Sequence, residues 1–345
     1  MSRAIEKDIA ASLKKGDPVE AYRQISEVLN STTGSCEIEI LGKAHPLPPG
    51  TYLLQDGPAA AISKVALVQA FVVAHKILRD HLDGQRAVPN EELLAATSVA
   101  LLLDPEHLTA ANIRKKVVLA RLSQTHEAQA AEPNGLQVMD SERWFVDNLL
   151  MSRLHRHTKS PTLWSHRRWL MHKKSSSGQN VDVLGDITRV VLVAAERHPR
   201  NYYAWTHARS LVRFISDKPK ILARDGPSLL TVVKSWCIKH HNDVSGWSFL
   251  HHLLILEGNA GRQGAVITIY TEILDLVKSF RWANESVWTF MRTLVASGAV
   301  GEDGTEAFFE VATGLKNAVP QSSQDWKTLD AAETWCRQYR RMSET

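Results

Sequence analysis

The sequence predicts an all-α fold, a right-handed α-α superhelix (a solenoid) of about five antiparallel helix pairs closed by capping helices. Three observations predict it. Trp164, Trp205, Trp247 and Trp288 stand 41, 42 and 41 residues apart. Their flanks align with each other and with a fifth segment anchored on Ala111, 53 residues before Trp164, and the excess matches the Ala-, Gln- and Glu-rich stretch 124–135, which reads as a loop insertion. Between anchors the apolar residues recur at helical spacing, as at Leu184, Ile187, Val191 and Ala194, where a strand would alternate.

In chain order, Ala4–Lys15 and Pro18–Leu29 carry helical patterns, Cys36–Leu41 reads as extended, and a Pro- and Gly-rich loop runs to Gly57. Residues 1–58 thus form an N-terminal extension and 59–345 the repeat domain. Ala59–Leu82 reads as one long apolar helix capping the first repeat. The repeats fall near 91–122, 141–174, 181–216, 226–258 and 263–297. Their first helices are Glu91–Leu103, Ser141–His155, Val181–His198, Ser228–His240 and Ala265–Phe280, none with an internal Pro. Each is followed by a tight turn and a second helix that opens near the anchor. At 1.5 Å rise per residue, two helices of about fifteen residues and short loops fit this period. Asn201, Asp243 or Ser245, and Asn284 or Ser286 are the candidate N-caps of the second helices. Ser175–Gln179 reads as a polar linker. Gly304–Ala318 and Gln324–Met342 read as closing helices.

Composition bounds the function. Hydrophobic residues at 44% and charged residues at 23% describe an ordinary folded chain and exclude wholesale disorder. The net charge of +4 is spread along the chain, without the basic stripe of a nucleic-acid binder. Cys36, Cys237 and Cys336 are odd in number and far apart, which makes neither a disulfide framework nor a zinc knuckle and points to a reducing compartment. Met1–Ile9 lacks the apolar stretch of a secretory signal, no segment has the roughly 20 apolar residues of a membrane span, and no lipidation motif is present. A cytoplasmic location is expected.

The residue four places after each anchor is Lys115, Arg168, Arg209, His251 or Arg292, so a cation shares a helix face with each anchor. The Trp rings themselves read as inter-repeat core. Histidines are plentiful, among them His155, His157, His166, His172, His198, His240, His241, His251 and His252. Adjacent histidines on a helix point about 100° apart and cannot share one ion from one face. With no His-Glu-x-x-His and no close Cys pair, no metal site is expected, and structural or partner-facing histidines are. Nucleophile-elbow, Walker and dinucleotide motifs are absent from the sequence.

Leu163-Trp-Ser-His-Arg-Arg-Trp-Leu170, His198-Pro-Arg-Asn-Tyr-Tyr-Ala-Trp-Thr-His207 and Asn284-Glu-Ser-Val-Trp288 resemble the Pro-x-Asn-Tyr-x-x-Trp-x-x-Arg-Arg repeats of protein prenyltransferase α subunits. The match runs in register over residues 90–297. With eroded positions such as Ala111 and Met291, it looks more like that family's divergent repeat-containing branch, which is similar to the α subunit of a type III geranylgeranyltransferase and pairs with the β subunit of Rab geranylgeranyltransferase.

The resemblance implies a subunit inactive alone, wrapped around an α-α barrel β subunit that carries the catalytic zinc and the isoprenoid pocket. This chain would hold no cofactor, and the ligands of the pair would be an isoprenoid diphosphate and cysteine-ended proteins. The family places a Lys five residues before the second-repeat Trp, at the diphosphate; here that residue is Lys159. A preorganised cation there stabilises the charge that builds on the leaving group, and Lys is a point-charge phosphate binder. The bland alternative is a Lys favoured by a helix C-terminus. Ser160, Pro161 and Thr162 replace the family's Asn-Tyr-Gln, leaving Thr162 as a substrate-binding candidate. Arg200, Asn201, Tyr202 and Tyr203 are further substrate-binding candidates by analogy, with Asn201 as a plain cap and Tyr202 as a core ring the alternatives. Trp164, His166, Arg168, Trp205, His207, Arg209, Trp247, Trp288 and Arg292 are expected on the repeat and partner faces. The competing function is a non-catalytic helical scaffold that binds a peptide or trafficking protein.

Overall fold

The computed structural model describes residues 16–31, 34–42, 45, 47, 48, 50–127, 135–216 and 218–343. The helix expected at Ala4–Lys15 and most of the 124–135 insertion lie outside the described residues. Helix dominates, with one three-stranded sheet among the described residues, so the chain has the all-α helical repeat fold. The chain divides into two compact units, residues 1–181 with 193–198 and residues 182–192 with 199–345.

In the first unit Asp17 opens the helix Pro18–Ser31 by accepting from Val19 N and Glu20 N, with Pro18 where its missing N–H costs nothing. Ala21, Ile25 and Leu29 share its buried face, and that face packs on the helices Lys64–Leu82 and Asn90–Leu103. Strand β1 (Glu37–Leu41) pairs in parallel with β3 (Ala59–Ser63), and β2 (Leu53–Asp56) pairs with β3 antiparallel. This corrects two expectations. Ala59–Ser63 is the central strand and not the start of the long helix, which begins at Lys64 with Ser63 as its N-cap. Residue 58 is also no boundary, because strands on either side of it share one sheet. Alanine favours helix by only tenths of a kcal/mol, and pairing on both edges of β3 outweighs that.

The helices Asn90–Leu103, Leu108–Glu127, Gly135–Leu150 and Pro161–Ser176 follow, each packed on the next or next but one. At their centre lies a buried ionic group that the sequence did not signal. Arg114 donates to both oxygens of Glu142 at 2.8 and 2.7 Å, to Leu94 O at 2.9 Å and to Thr97 Oγ1 at 3.3 Å, while its guanidinium covers the Phe145 ring. His166 Nε2 lies 2.9 Å from Glu142 Oε1. Burial works to raise the Glu142 pKa, but Arg114 and His166 outweigh it and hold the carboxyl far below its usual range. His166 itself is pushed down by burial, and the Glu142 contact only partly offsets this. We assign an ionised Glu142 paired with Arg114 beside a neutral His166.

The helix expected at Val181–His198 starts at Val183 and carries a π-helical turn over Ile187–Val191, and its residues up to Leu192 belong to the second unit. Paired helices then run Tyr202–Ser216, Pro219–Lys239, Val244–Asn259, Gln263–Phe280 and Glu285–Ala296, with Gly301–Asn317 and Gln324–Ser343 closing the unit. The fourth first-helix begins well before Ser228 and carries Pro227 inside it. An internal Pro leaves the carbonyl four residues back without its donor; that residue, Ala223, is exposed, so water can satisfy it. Of the expected caps, Asn201 accepts from Ala204 N and Asp243 from Ser245 N and Gly246 N. Asn284 caps nothing, its amide donating to His241 O, and Ser286 donates to Asn242 O.

The anchor rings are core: Trp164, Trp205, Trp247 and Trp288 are each at most 1% exposed, and Ala111 fills the equivalent slot. Within the second unit each ring meets an aromatic of the next layer, Trp205 against Phe249 (5.4 Å), Trp247 against Phe290 (5.0 Å) and Trp288 against Phe308 (5.2 Å). Trp205 also packs on Trp236 at 5.1 Å, and a Cβ on Gly246 would stand 2.6 Å from Trp236 Cζ3. Gly246→Ala is therefore expected to destabilise by about 1–3 kcal/mol through overpacking. Chemical denaturation would show it as a lower midpoint at unchanged slope, and an unchanged midpoint would refute the close approach.

Candidate functional site

Lys159 and Thr162 lie in the first unit, and Arg200, Asn201, Tyr202 and Tyr203 in the second. Each group occupies the turn that leads into an anchor helix.

The turn at Lys159 is held by three side chains, His157, Ser160 and Trp164, each bonded to backbone carbonyls. The short helix His155–Thr158 ends at Lys159. His157, 4% exposed, points its Nε2 at Leu101 O (3.1 Å) and Leu102 O (2.9 Å), the last carbonyls of helix Asn90–Leu103. Trp164 Nε1 donates to Thr158 O at 2.8 Å. Ser160 Oγ donates to Pro105 O at 3.0 Å and accepts from Leu163 N, capping the next helix, with Pro161 at its first position. Lys159 is exposed between these fixed neighbours. Of the cations just before it, Arg153 is taken by Glu37 at 2.7 Å and Arg156 by Asp104 at 2.8 Å. Among the described residues no carboxylate pairs with Lys159. Thr162 is already engaged, its hydroxyl donating to Glu106 at 2.7 Å, so it does not offer the free group expected of a substrate contact.

Burial pushes the His157 pKa down from 6.5 to about 4, more than its carbonyl contacts raise it. The unfolded chain therefore binds a proton at His157 that the folded chain refuses, and stability falls as pH drops from about 6.5 towards 4. By linkage the window is worth on the order of 3 kcal/mol. Denaturation midpoints across that range should decline in the parent and decline less in His157→Gln; identical profiles would rule the effect out.

In the second unit Arg200 adopts a left-handed backbone (φ 58°), and its N–H donates to Asp243 Oδ2 at 2.6 Å. Asp243 thereby ties this turn to the next anchor helix, whose N-terminus its other oxygen caps. Asn201 is buried and serves as a cap, which leaves Arg200, Tyr202 and Tyr203 as the exposed candidates. The core-ring reading of Tyr202 is corrected: it is 67% exposed, edge-on to Tyr203 at 5.4 Å, because the buried stripe of its helix runs through Ala204, Trp205, Ala208 and Leu211. The indole bond recurs as Trp247 Nε1 to His241 O and Trp288 Nε1 to Trp282 O, six residues upstream as in Trp164. Trp205 departs from it, its buried Nε1 meeting no acceptor among the described residues; the left-handed turn at Arg200 lies within the intervening segment.

The cation four residues after each anchor is half-buried in every repeat. Lys115 approaches the Trp169 ring at 5.9 Å, Arg209 lies over Phe249 at 5.9 Å, and Arg292 over Trp335 at 4.6 Å. Among the described residues none of Arg168, Arg209 and Arg292 pairs with a carboxylate. His166 and His207 are fully buried, so they are interior side chains and not part of a partner face.

Residues 163–280 match a family model described as the ECM9 middle domain. Protein prenyltransferase alpha subunit repeat-containing protein 1 of Danio rerio is 25% identical over 261 residues, covering 68% of this chain and 55% of that protein. The Homo sapiens protein of the same name is 23% identical over 271 residues, covering 68% and 58%. The chain is thus similar, at low identity, to proteins named as prenyltransferase α-subunit repeat-containing. Protein ECM9 of Saccharomyces cerevisiae, 27% identical over 193 residues and covering 56% of this chain and 48% of that protein, is a further relative. The chain spans about half the length of the curated relatives it matches. Among the described residues no helix is long and apolar enough to cross a membrane.

Proposed function

We propose that this chain is the α-type subunit of a heterodimeric protein prenyltransferase, geranylgeranyl-transferring, which holds a β subunit and presents Lys159 to the isoprenoid diphosphate. The observation that carries the reading is the exposed, carboxylate-free Lys159 on a turn fixed by Trp164, His157 and Ser160. As a protein thiolate attacks the isoprenoid carbon, the departing diphosphate gains negative charge, and a cation held in place favours that state over the ground state. Among the described residues no three His, Cys, Asp or Glu side chains converge as metal ligands; the zinc that activates the thiol belongs to the β subunit in this reading. Co-expression with a prenyltransferase β subunit, followed by transfer of labelled geranylgeranyl groups to cysteine-ended proteins, tests it. A chain that forms no complex with any such β subunit would refute it.

One observation favours a second reading, the non-catalytic scaffold. Pro161 and Thr162 stand where the family's Tyr and Gln would be; Pro161 has no polar side chain to offer a peptide, and the Thr162 hydroxyl is spent on the chain's own Glu106. A complex without transferase activity would favour this reading.

A further inference from the structure

A small crevice in the second unit, between helices Val244–Asn259 and Glu285–Ala296, carries chemistry that the repeat packing does not use. Its apolar floor is Trp247 and Phe290, and its walls carry Ser248, Thr289, Thr293 and His251. Its volume is about 110 Å³, well below the roughly 300–1,000 Å³ of clefts that take cofactor-sized ligands, so it suits a single small group.

The hydrogen-bond inventory favours donors. Arg209 Nη2 donates to Ser248 Oγ at 2.8 Å, which leaves the serine proton free to point elsewhere. His251 Nε2 is buried without a partner among the described residues, and the Thr289 hydroxyl makes no hydrogen bond to the described residues. Thr293 donates to Thr289 O and offers only lone pairs. The acid that caps helix Val244–Asn259 is occupied elsewhere, and no acid is among the residues that line the crevice. Asp243 accepts from Arg200 N, Ser245 N and Gly246 N. Arg209 and Arg213 have no carboxylate partner among the described residues. Burial, and then the Arg209 charge, disfavour the charged form of His251. His252 is disfavoured likewise by burial, then by Arg209, His251 and Arg213. The surroundings are therefore short of an anion.

We propose that this crevice binds one phosphate-type oxyanion, with Ser248, Thr289 and His251 as hydrogen-bond donors and Arg209 as the counter-charge. A tetrahedral oxyanion accepts from several directions at once, which matches donors from two helices and a guanidinium hydrogen-bonded to the serine of the wall. The group is either a free phosphate or diphosphate or the phosphorylated side chain of a partner protein. The proposal does not depend on the prenyltransferase reading, since neither a β subunit nor turnover enters its test.

That test is calorimetric titration of the full chain with inorganic phosphate, with diphosphate, and with an alanine pentapeptide carrying one phosphoserine, each against chloride at equal ionic strength. Saturable binding is expected, weakened at least tenfold in Arg209→Gln and in His251→Gln. Should Arg209→Gln fail to fold, Thr289→Val makes the same test at the crevice wall. A peptide bound at least tenfold tighter than the free anions identifies a protein-borne phosphate, and the reverse order identifies the free anion. No binding beyond that of chloride, or affinities unchanged in the variants, would overturn the proposal.

Discussion

Exchange of Lys159 for alanine, in a chain co-purified with a prenyltransferase β subunit, is expected to slow turnover about 10²–10³-fold, the usual effect of removing one preorganised group that stabilises developing charge. The complex and the fold should survive. Lys159 is exposed and has no carboxylate partner among the described residues, so its removal orphans no buried charge, and surface changes of this kind stay within about ±0.5 kcal/mol. The loss should fall on kcat more than on KM, because the cation acts on charge that grows as the bond to diphosphate breaks. Lys159→Arg should keep part of the activity, since the charge remains while its position shifts. Unchanged turnover in the alanine variant would remove Lys159 from the chemistry and transfer weight to the scaffold.

The largest stability effect is expected at Glu142. Glu142→Gln leaves the guanidinium of Arg114, 2% exposed, buried without a countercharge, which typically costs about 3–5 kcal/mol. Adding Arg114→Met should recover a substantial part of it, because the unpaired buried charge is then gone. Since Glu142 is held far below the ordinary carboxylate range when folded, its contribution is complete above the unfolded value near 4.5 and is lost as pH falls towards the folded one. Equilibrium unfolding of the single and double variants at neutral pH measures this. A single variant that loses under about 1 kcal/mol, or a double variant worse than the single, would contradict a buried ion pair.

The parts of the fold legible in the sequence were those with a local cause. The Trp interval could be read because every second helix needs one large ring at the same depth, and all four rings proved buried. Asp243 could be read as a cap because capping acts over two or three residues. Lys159 was placed by resemblance, and its turn proved exposed and well anchored, though what holds it, His157 on carbonyls more than fifty residues away, has no sequence signature. The crevice at Ser248 and His251 was equally hidden, since its walls come from the second helices of two adjacent repeats. One signal was available and missed: Trp247-Ser-Phe249 and Trp288-Thr-Phe290 repeat a Trp-x-Phe pattern, and those phenylalanines receive the preceding repeat's ring.

By itself the sequence determined a helical repeat protein, the depth of its Trp anchors and the place of its turns, because helical periodicity and capping are short-range effects that each segment carries within itself. Tertiary structure alone decided that Ala59–Ser63 is a strand, that a helix runs through Pro227, that Tyr202 faces outward and that Arg114 finds Glu142. Each of those outcomes depends on which distant groups arrive to satisfy a backbone or a charge, and sequence spacing does not encode that.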